Sequence, residues 1–148
     1  LTHVEALVPA TEVERSLVKD RIAVLKPSQP VVSVGPEMPL SDVISLLAGR
    51  SIGCVLIVHE DRIVGIFSER DALRKVGTRA KELADRPVSE YMTPSPQTLD
   101  LKAKVAFAVQ RMDLGSYRHV PIVNENGQPA AIVSVRDILR YLTTKMVS

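Results

Sequence analysis

Gly65-Ile66-Phe67-Ser68-Glu69-Arg70-Asp71-Ala72-Leu73 and Ala131-Ile132-Val133-Ser134-Val135-Arg136-Asp137-Ile138-Leu139 share one pattern: an apolar, strand-like run, then Ser-x-Arg-Asp, then a helix-like start. Ahead of the hairpins the match extends backwards at one fixed offset, one residue less than that between the serines. Asp20-Arg21 pairs with Asp85-Arg86, Val34 with Leu99, and Leu40, Val43, Ile44 and Leu47 with Val105, Ala108, Val109 and Met112. A repeat of this length exceeds one supersecondary unit, so the chain reads as an internal duplication with two similar lobes in one fold. The two apolar quartets run i, i+3, i+4, i+7, which lays one stripe along a helix, and Pro39 suits the first turn of the earlier one.

Val55-Leu56-Ile57-Val58 pairs with Val120-Pro121-Ile122-Val123, short apolar runs bounded by turn residues and therefore buried strands. The hairpins that follow differ by one residue. His59-Glu60-Asp61-Arg62 is the shorter, and Asn124-Glu125-Asn126-Gly127-Gln128 carries the Asn-Gly of a tight turn. Each repeat thus predicts the order β-α-β-β-α, beginning near Pro30 and again near Pro96. The fold class is α+β (mixed α/β), with a small mixed sheet per repeat and its helices against one face. Each sheet leaves a face to bury, and packing the two repeats about a pseudo-twofold axis buries both. The chain divides into a segment 1–19 with an amphipathic helix, a first repeat 20–76, a linker helix 77–84 and a second repeat 85–148. Thr11-Glu12-Val13-Glu14 opens the first helix as a capping box and Gly77-Thr78 opens the linker helix. The first nine or so residues are expected to be loosely held, and a start at Leu1 suits a piece of something longer.

With 148 residues, 45% of them hydrophobic, the chain buries a core without disulfides or metal. The net charge of +2 comes from scattered mixed signs and aromatic residues are only 3%, which disfavours nucleic acid as a partner. Cys54 opens an apolar strand run, the setting of a small buried residue, and suits a reducing compartment, the cytoplasm. No apolar run approaches the length of a bilayer span and the start lacks a signal pattern, so no membrane contact is expected from the chain itself. His3, His59 and His119 stand far apart without the neighbours of a metal motif. Ser68 and Ser134 lack a Gly-x-Ser-x-Gly elbow, and no Gly-rich loop ends in Lys-Ser or Lys-Thr, so no enzyme and no metal are expected.

Two uses of Ser68-x-x-Asp71 and Ser134-x-x-Asp137 remain. Serine at the N-cap accepts from first-turn amides, and an acid three residues on caps in return and favours the positive helix end. The same geometry suits a nucleoside phosphate: amides, hydroxyl and the neighbouring Arg70 or Arg136 for phosphate, the aspartate for two ribose hydroxyls. Ile66 with Phe67, or Ile132 with Val133, would wall the heterocycle.

In its β-α-β-β-α repeats, in the runs Gly53-Cys54-Val55-Leu56-Ile57-Val58 and Arg118-His119-Val120-Pro121-Ile122-Val123, and above all in the two Gly/Ala-Ile-x-Ser-x-Arg-Asp segments, nearly the whole chain resembles tandem cystathionine-β-synthase (CBS) domains, the CBS pair or Bateman module. The resemblance implies phosphate contacts from Ser68, Arg70, Ser134 and Arg136, and ribose contacts from Asp71 and Asp137. It implies sites in the cleft between lobes, with Gln97 and Tyr117 meeting the adenine end at the Asp71 site, and Val32 and Ile52 at the Asp137 site. Arg118 and His119 stand where such proteins place basic residues facing phosphates, against Gly53-Cys54 in the first repeat. One cleft is therefore expected to hold most of the extra positive charge, and Ala131 in place of Gly65 to narrow the second, making the Asp71 site the better one. The function implied is a regulatory adenine-nucleotide sensor for AMP, ADP or ATP, with no cofactor required, acting on an unspecified partner or attached domain. The alternatives are a ligand-free dimerisation scaffold and an S-adenosylmethionine sensor; homodimerisation through the helices is expected in either case.

Overall fold

The computed structural model describes residues 11–115 and 117–147. His3 and the first nine residues, expected to be loosely held, lie outside the described residues. Helix α1 (Glu12–Lys19) opens at Thr11, whose hydroxyl accepts from the Glu14 amide and donates to the Glu14 carboxylate, both at 3.1 Å. A 3-10 turn, Ile22–Leu25, follows. The first repeat then runs β1 (Ser33–Val34), α2 (Leu40–Gly49), β2 (Cys54–His59), β3 (Arg62–Ser68) and α3 (Glu69–Asp71). After a short helix α4 (Ala80–Leu83) and a strand β4 (Thr93–Pro94), the second repeat runs β5 (Leu99–Asp100), α5 (Val105–Gly115), β6 (His119–Val123), β7 (Pro129–Ser134) and α6 (Val135–Met146). Both repeats therefore have the order β-α-β-β-α in an α+β fold.

The two sheets use the same pairing. β1 lies parallel to β2 and β2 antiparallel to β3; β5 lies parallel to β6 and β6 antiparallel to β7. The first sheet adds β4 antiparallel to β3, with Gly65 opposite Pro94. That approach needs the glycine, because a Cβ at Gly65 would overlap the Met92 side chain. The second sheet stops at three strands, so Ala131 meets no such neighbour; it packs instead against the second lobe's core. The shorter hairpin places Glu60 and Asp61 both at positive φ, 51° and 63°, as a two-residue primed turn requires. The longer one is tied by Asn124, whose side-chain oxygen accepts from the amides of Asn126 and Gln128 at 2.9 Å.

Alternation along these strands separates three apolar clusters. Leu40, Val43, Val55, Ile57 and Phe67 fill the first lobe, Val105, Ala108, Val120, Ile122 and Val133 the second, and Cys54, Leu56, Ile66 and Ile132 the seam between them. Ile44, Val109 and Met112 are only partly buried at the edges of the two lobe cores. Pro39 stands at the N-cap of α2 rather than inside its first turn, in extended conformation.

The segment ahead of each repeat's first strand crosses to the other lobe. Ile22 and Leu25 are buried in the second core, and the Ile22 amide bonds to Ala103 O at 2.9 Å. Leu83 and Val88 are buried in the first core, and the Val88 amide bonds to Met38 O at 2.9 Å. Tyr141 fastens α6 to this crossing segment by donating to the Asp20 carboxylate at 2.7 Å. The second helices of the repeats differ. α6 is regular over 12 residues, whereas α3 widens after Asp71 into a π turn, Ala72–Val76, that ends at Gly77 with φ 47°. Gly77 begins a 3-10 turn, Gly77–Arg79, that leads into α4. Among the described residues no helix is long and apolar enough to cross a membrane, and no group of three His, Cys, Asp or Glu is placed to hold a metal ion.

Candidate functional site

Both Ser-x-x-Asp segments form full capping boxes. Ser68 Oγ accepts from the Asp71 amide at 3.1 Å while Asp71 Oδ2 accepts from the Ser68 amide at 2.9 Å; the corresponding distances for Ser134 and Asp137 are 3.3 and 2.8 Å. A strand running directly into a helix forces this arrangement, since the first-turn amides have no partner within the helix. In each lobe the amide of the first helical residue reaches across to the residue before the hairpin's first strand, Glu69 to Gly53 O ahead of β2 and Val135 to Arg118 O ahead of β6, both at 3.0 Å.

The two aspartates differ in what holds their other oxygen. Asp71 Oδ1 accepts from Thr93 Oγ1 at 3.2 Å and pairs with Lys75 Nζ at 3.2 Å, and its side chain keeps 14% of its surface exposed. Asp137 Oδ1 accepts from the Ser28 amide (3.2 Å), the Ser28 hydroxyl (3.1 Å) and Arg140 Nη2 (3.0 Å), and the residue is fully buried. Burial pushes the Asp137 carboxyl upward, but the amides of Ser134 and Ser28 and the Arg140 guanidinium outweigh it and hold the group below the ordinary carboxylate value. Arg140 also donates to Leu25 O and Lys26 O, at 3.0 and 3.1 Å. Asp137 and Arg140 together thus clamp residues 25–28 against α6.

Among the described residues, two clefts between the lobes adjoin the Ser-x-x-Asp segments. The first, about 710 Å³, joins Ile66, Ser68, Arg70 and Asp71 of the first repeat to Tyr117, Arg118 and His119 of the second. Thr93, Leu73 and Arg74 also line it. The second, about 1180 Å³, joins Ile52 and Arg50 to Ser134, Arg136 and Arg140. Arg118 and His119 line both clefts, together with Gly53 and Glu69. The expected concentration of basic charge on one side is therefore corrected: the pair sits on the partition, and the second cleft adds Arg50, Arg136 and Arg140. A Cβ at Gly53 would lie 2.6 Å from His119 Nε2, so the missing side chain is what lets the imidazole lie against the opposite lobe. Desolvation there lowers the His119 pKa, against the charges of Glu69 and Asp137. Gln29 supports the same wall, accepting from the Gly53 amide at 2.9 Å and donating to Cys54 O at 3.1 Å. Cys54 behind it is fully buried, and desolvation pushes its thiol up to about 12.

Four candidate residues lie elsewhere. Asp137 is sealed beneath Ser28 and does not line the second cleft. Ile132 is turned by strand alternation into the seam cluster and is fully buried. Val32 sits in the first core, its carbonyl accepting from the Leu56 amide at 2.9 Å, and lines neither cleft. Gln97 is exposed on the run between β4 and β5 and lines neither. Ala131, expected to narrow the second cleft, does not line it either. Sequence reasoning missed Ser28, Thr93, Lys75, Arg140 and Arg50. For Ser28 and Thr93 a signal was present, since these hydroxyl residues stand at the same offset as Val34 and Leu99.

Known proteins resemble the chain along most of its length. The model of the CBS domain family matches twice, over residues 18–78 and 88–144. An uncharacterised 17.7 kDa protein of Acidianus ambivalens is 32% identical over 133 residues, covering 90% of this chain and 74% of its own length. A CBS domain-containing protein of Arabidopsis thaliana is 29% identical over 108 residues, covering 73% of this chain but 19% of its own length, so the chain spans only a small part of that relative. Among solved structures, a CBS domain protein of Pyrobaculum aerophilum complexed with AMP is 31% identical and superposes with a TM-score of 0.71, covering 84% of this chain and 99% of that one. Two family matches that fall on the two lobes, joined to the duplicated β-α-β-β-α order, place the chain in the CBS domain family, as a CBS pair.

Proposed function

We propose that the chain is a regulatory module that binds an adenine nucleotide, AMP, ADP or ATP, in the first cleft and passes the resulting shift between the lobes to a partner or attached domain. The observation that carries this reading is the convergence of Ser68, Arg70 and Asp71 from one lobe with Tyr117 and Arg118 from the other around about 710 Å³ of open space. That volume lies within the range of small-molecule sites. Phosphate meets the Ser68 hydroxyl and the Arg70 and Arg118 guanidinium groups. The base lies between Ile66 and Tyr117. The ribose hydroxyls approach Asp71 Oδ1 by displacing Lys75, whose half-exposed pairing is a weak competitor. The AMP complex of the 31% identical Pyrobaculum protein supports an adenine nucleotide as the ligand.

Because such a ligand touches both lobes, it stabilises the arrangement that presents both sets of groups, by about 2.7 kcal/mol at a hundred times its dissociation constant. The test is the melting temperature with AMP, ADP, ATP, adenosine and S-adenosylmethionine. Nucleotides are expected to raise it in the wild type. Asp71→Ala removes the shift while costing the ligand-free protein about 1 kcal/mol as a lost cap, and Arg118→Ala weakens AMP far more than adenosine. Absence of any nucleotide shift at millimolar concentration overturns the sensor and leaves the scaffold.

A dimer is the second part of the proposal. Leu73 and Leu139 occupy equivalent positions in the two repeats and are 78% and 52% exposed, and Leu114 on α5 is 77% exposed. Large apolar side chains left at matching positions favour burial against a second copy of the chain. Sedimentation is expected to give a dimer for the wild type and a monomer for the double variant Leu73→Lys/Leu139→Lys; a monomeric wild type rejects it.

A further inference from the structure

The second cleft differs from the first in a way that changes what it selects. Five donors meet the two oxygens of Asp137: the Ser134 amide and hydroxyl, the Ser28 amide and hydroxyl, and Arg140 Nη2. A carboxylate offers about four lone-pair sites, so this one is saturated, and with no exposed surface it offers nothing to a ribose. The cleft above it carries the opposite feature. Arg50 follows α2, Arg118 precedes β6, and Arg136 and Arg140 lie one turn apart on α6, with Glu69 the one carboxylate in the lining. Arg140 is committed to Asp137 and to the Leu25 and Lys26 carbonyls. Among the described residues, Arg50, Arg118 and Arg136 form no ion pair. All three are exposed. Three unneutralised guanidinium groups from three elements around one concave space repel one another and raise the local concentration of anions. Their planar donor sets match phosphate oxygens two at a time.

We propose that the second cleft is a phosphate-chain site. It takes a di- or triphosphate group through Arg50, Arg118 and Arg136 with no ribose contact, whether the chain is free or is the tail of a nucleotide. The proposal shares Arg118 with the nucleoside reading of the first cleft and is told apart from it by Arg50 and Arg136, which do not line that cleft.

Calorimetric titration with inorganic tripolyphosphate tests it, on the wild type and on Arg50→Ala/Arg136→Ala, Arg70→Ala, Asp71→Asn and Arg15→Ala/Arg79→Ala. Removing two charge-assisted phosphate contacts is expected to weaken tripolyphosphate by about tenfold or more. The distant pair Arg15 and Arg79, an equal loss of charge, is expected to change it by about twofold or less. Asp71→Asn binds tripolyphosphate no more weakly than the wild type. Equal losses in the two double variants reduce the effect to general charge attraction, and a larger loss in Arg70→Ala, which removes a guanidinium from the first cleft alone, moves the anion there; either result overturns the proposal. The two ligand sources are separated in the Asp71→Asn background, where ATP and tripolyphosphate are expected to bind within about threefold of each other, since the phosphates carry the affinity, and adenosine not at all. ATP binding that is far tighter there, and still dependent on Arg136, shows that the cleft reads the nucleoside and rejects a site blind to ribose.

Discussion

Asp137→Ala is expected to cost about 3 kcal/mol of folding stability, against about 1 kcal/mol for Asp71→Ala. Both substitutions remove the same capping residue from the same Ser-x-x-Asp box, so propensity and capping predict equal losses. The difference lies in the second oxygen. Asp71 Oδ1 holds a half-exposed lysine and the Thr93 hydroxyl at the edge of an open cleft, where water replaces a lost partner. Asp137 Oδ1 holds the Ser28 amide, the Ser28 hydroxyl and Arg140, and Arg140 in turn holds the Leu25 and Lys26 carbonyls. Removing the carboxylate strips partners from donors inside a sealed site, which incurs their desolvation cost, and releases the segment that carries Leu25 into the second core. The pH dependence has a definite sign. The folded-state pKa is lowered, so the stabilisation is fully present above the unfolded value near 3.8 and is lost as pH falls through the lower folded value. Denaturant titrations at pH 7 and at pH values below 3.8 check this. The gap between wild type and Asp137→Ala should be wide at pH 7 and should close in acid, and equal costs for the two aspartates would reject the clamp.

That asymmetry marks the boundary of what was legible in the sequence. The capping boxes were readable because they are local: the partners are three residues apart, and Ser before a helical run with Asp three positions on names both. The β-α-β-β-α order was readable because period and turn chemistry repeat, and the Asn-Gly of the longer hairpin marks its turn, with Gly127 at φ 78°; the positive φ angles at Glu60 and Asp61 were not, because those residue types are not the Asn and Gly that such a turn favours. Partnerships across the chain were not readable. Ser28 reaches Asp137, and Ile22 with Leu25 enters the second core rather than the first, because the docking surface is built by residues far along the chain. Strand alternation assigns a residue to one of two faces but does not say which face is the seam, and so it fits Ile132 equally to a cleft wall and to the core between lobes, where the residue lies. The regular α6 and the widened α3 have similar beginnings; what separates them is Gly77, whose positive φ ends the earlier helix and has no counterpart in α6.

Ile132→Ala is expected to cost about 3 kcal/mol and, unlike an equal truncation inside a lobe, to weaken AMP several-fold in molecules that remain folded. Ile132 is the contribution of β7 to a buried seam cluster whose other members, Cys54, Leu56 and Ile66, come from the first lobe. A void there removes contacts between lobes rather than within one. Ile66 stands on both the seam and the first cleft, so it is the side chain through which the loss reaches the site. Ile122→Ala is the control. Ile122 is as fully buried, but it lies in the second lobe's own core and lines neither cleft, so its truncation is expected to cost comparable stability and to leave the AMP dissociation constant within about twofold. Urea denaturation of each variant followed by AMP titration under native conditions separates the two quantities. Parallel losses of affinity in both variants make AMP binding a reporter of general stability. A selective loss in Ile132→Ala assigns the seam the task of holding Ser68, Asp71 and Arg118 at one mutual distance, which a regulatory cleft needs if its ligand is to move one lobe against the other.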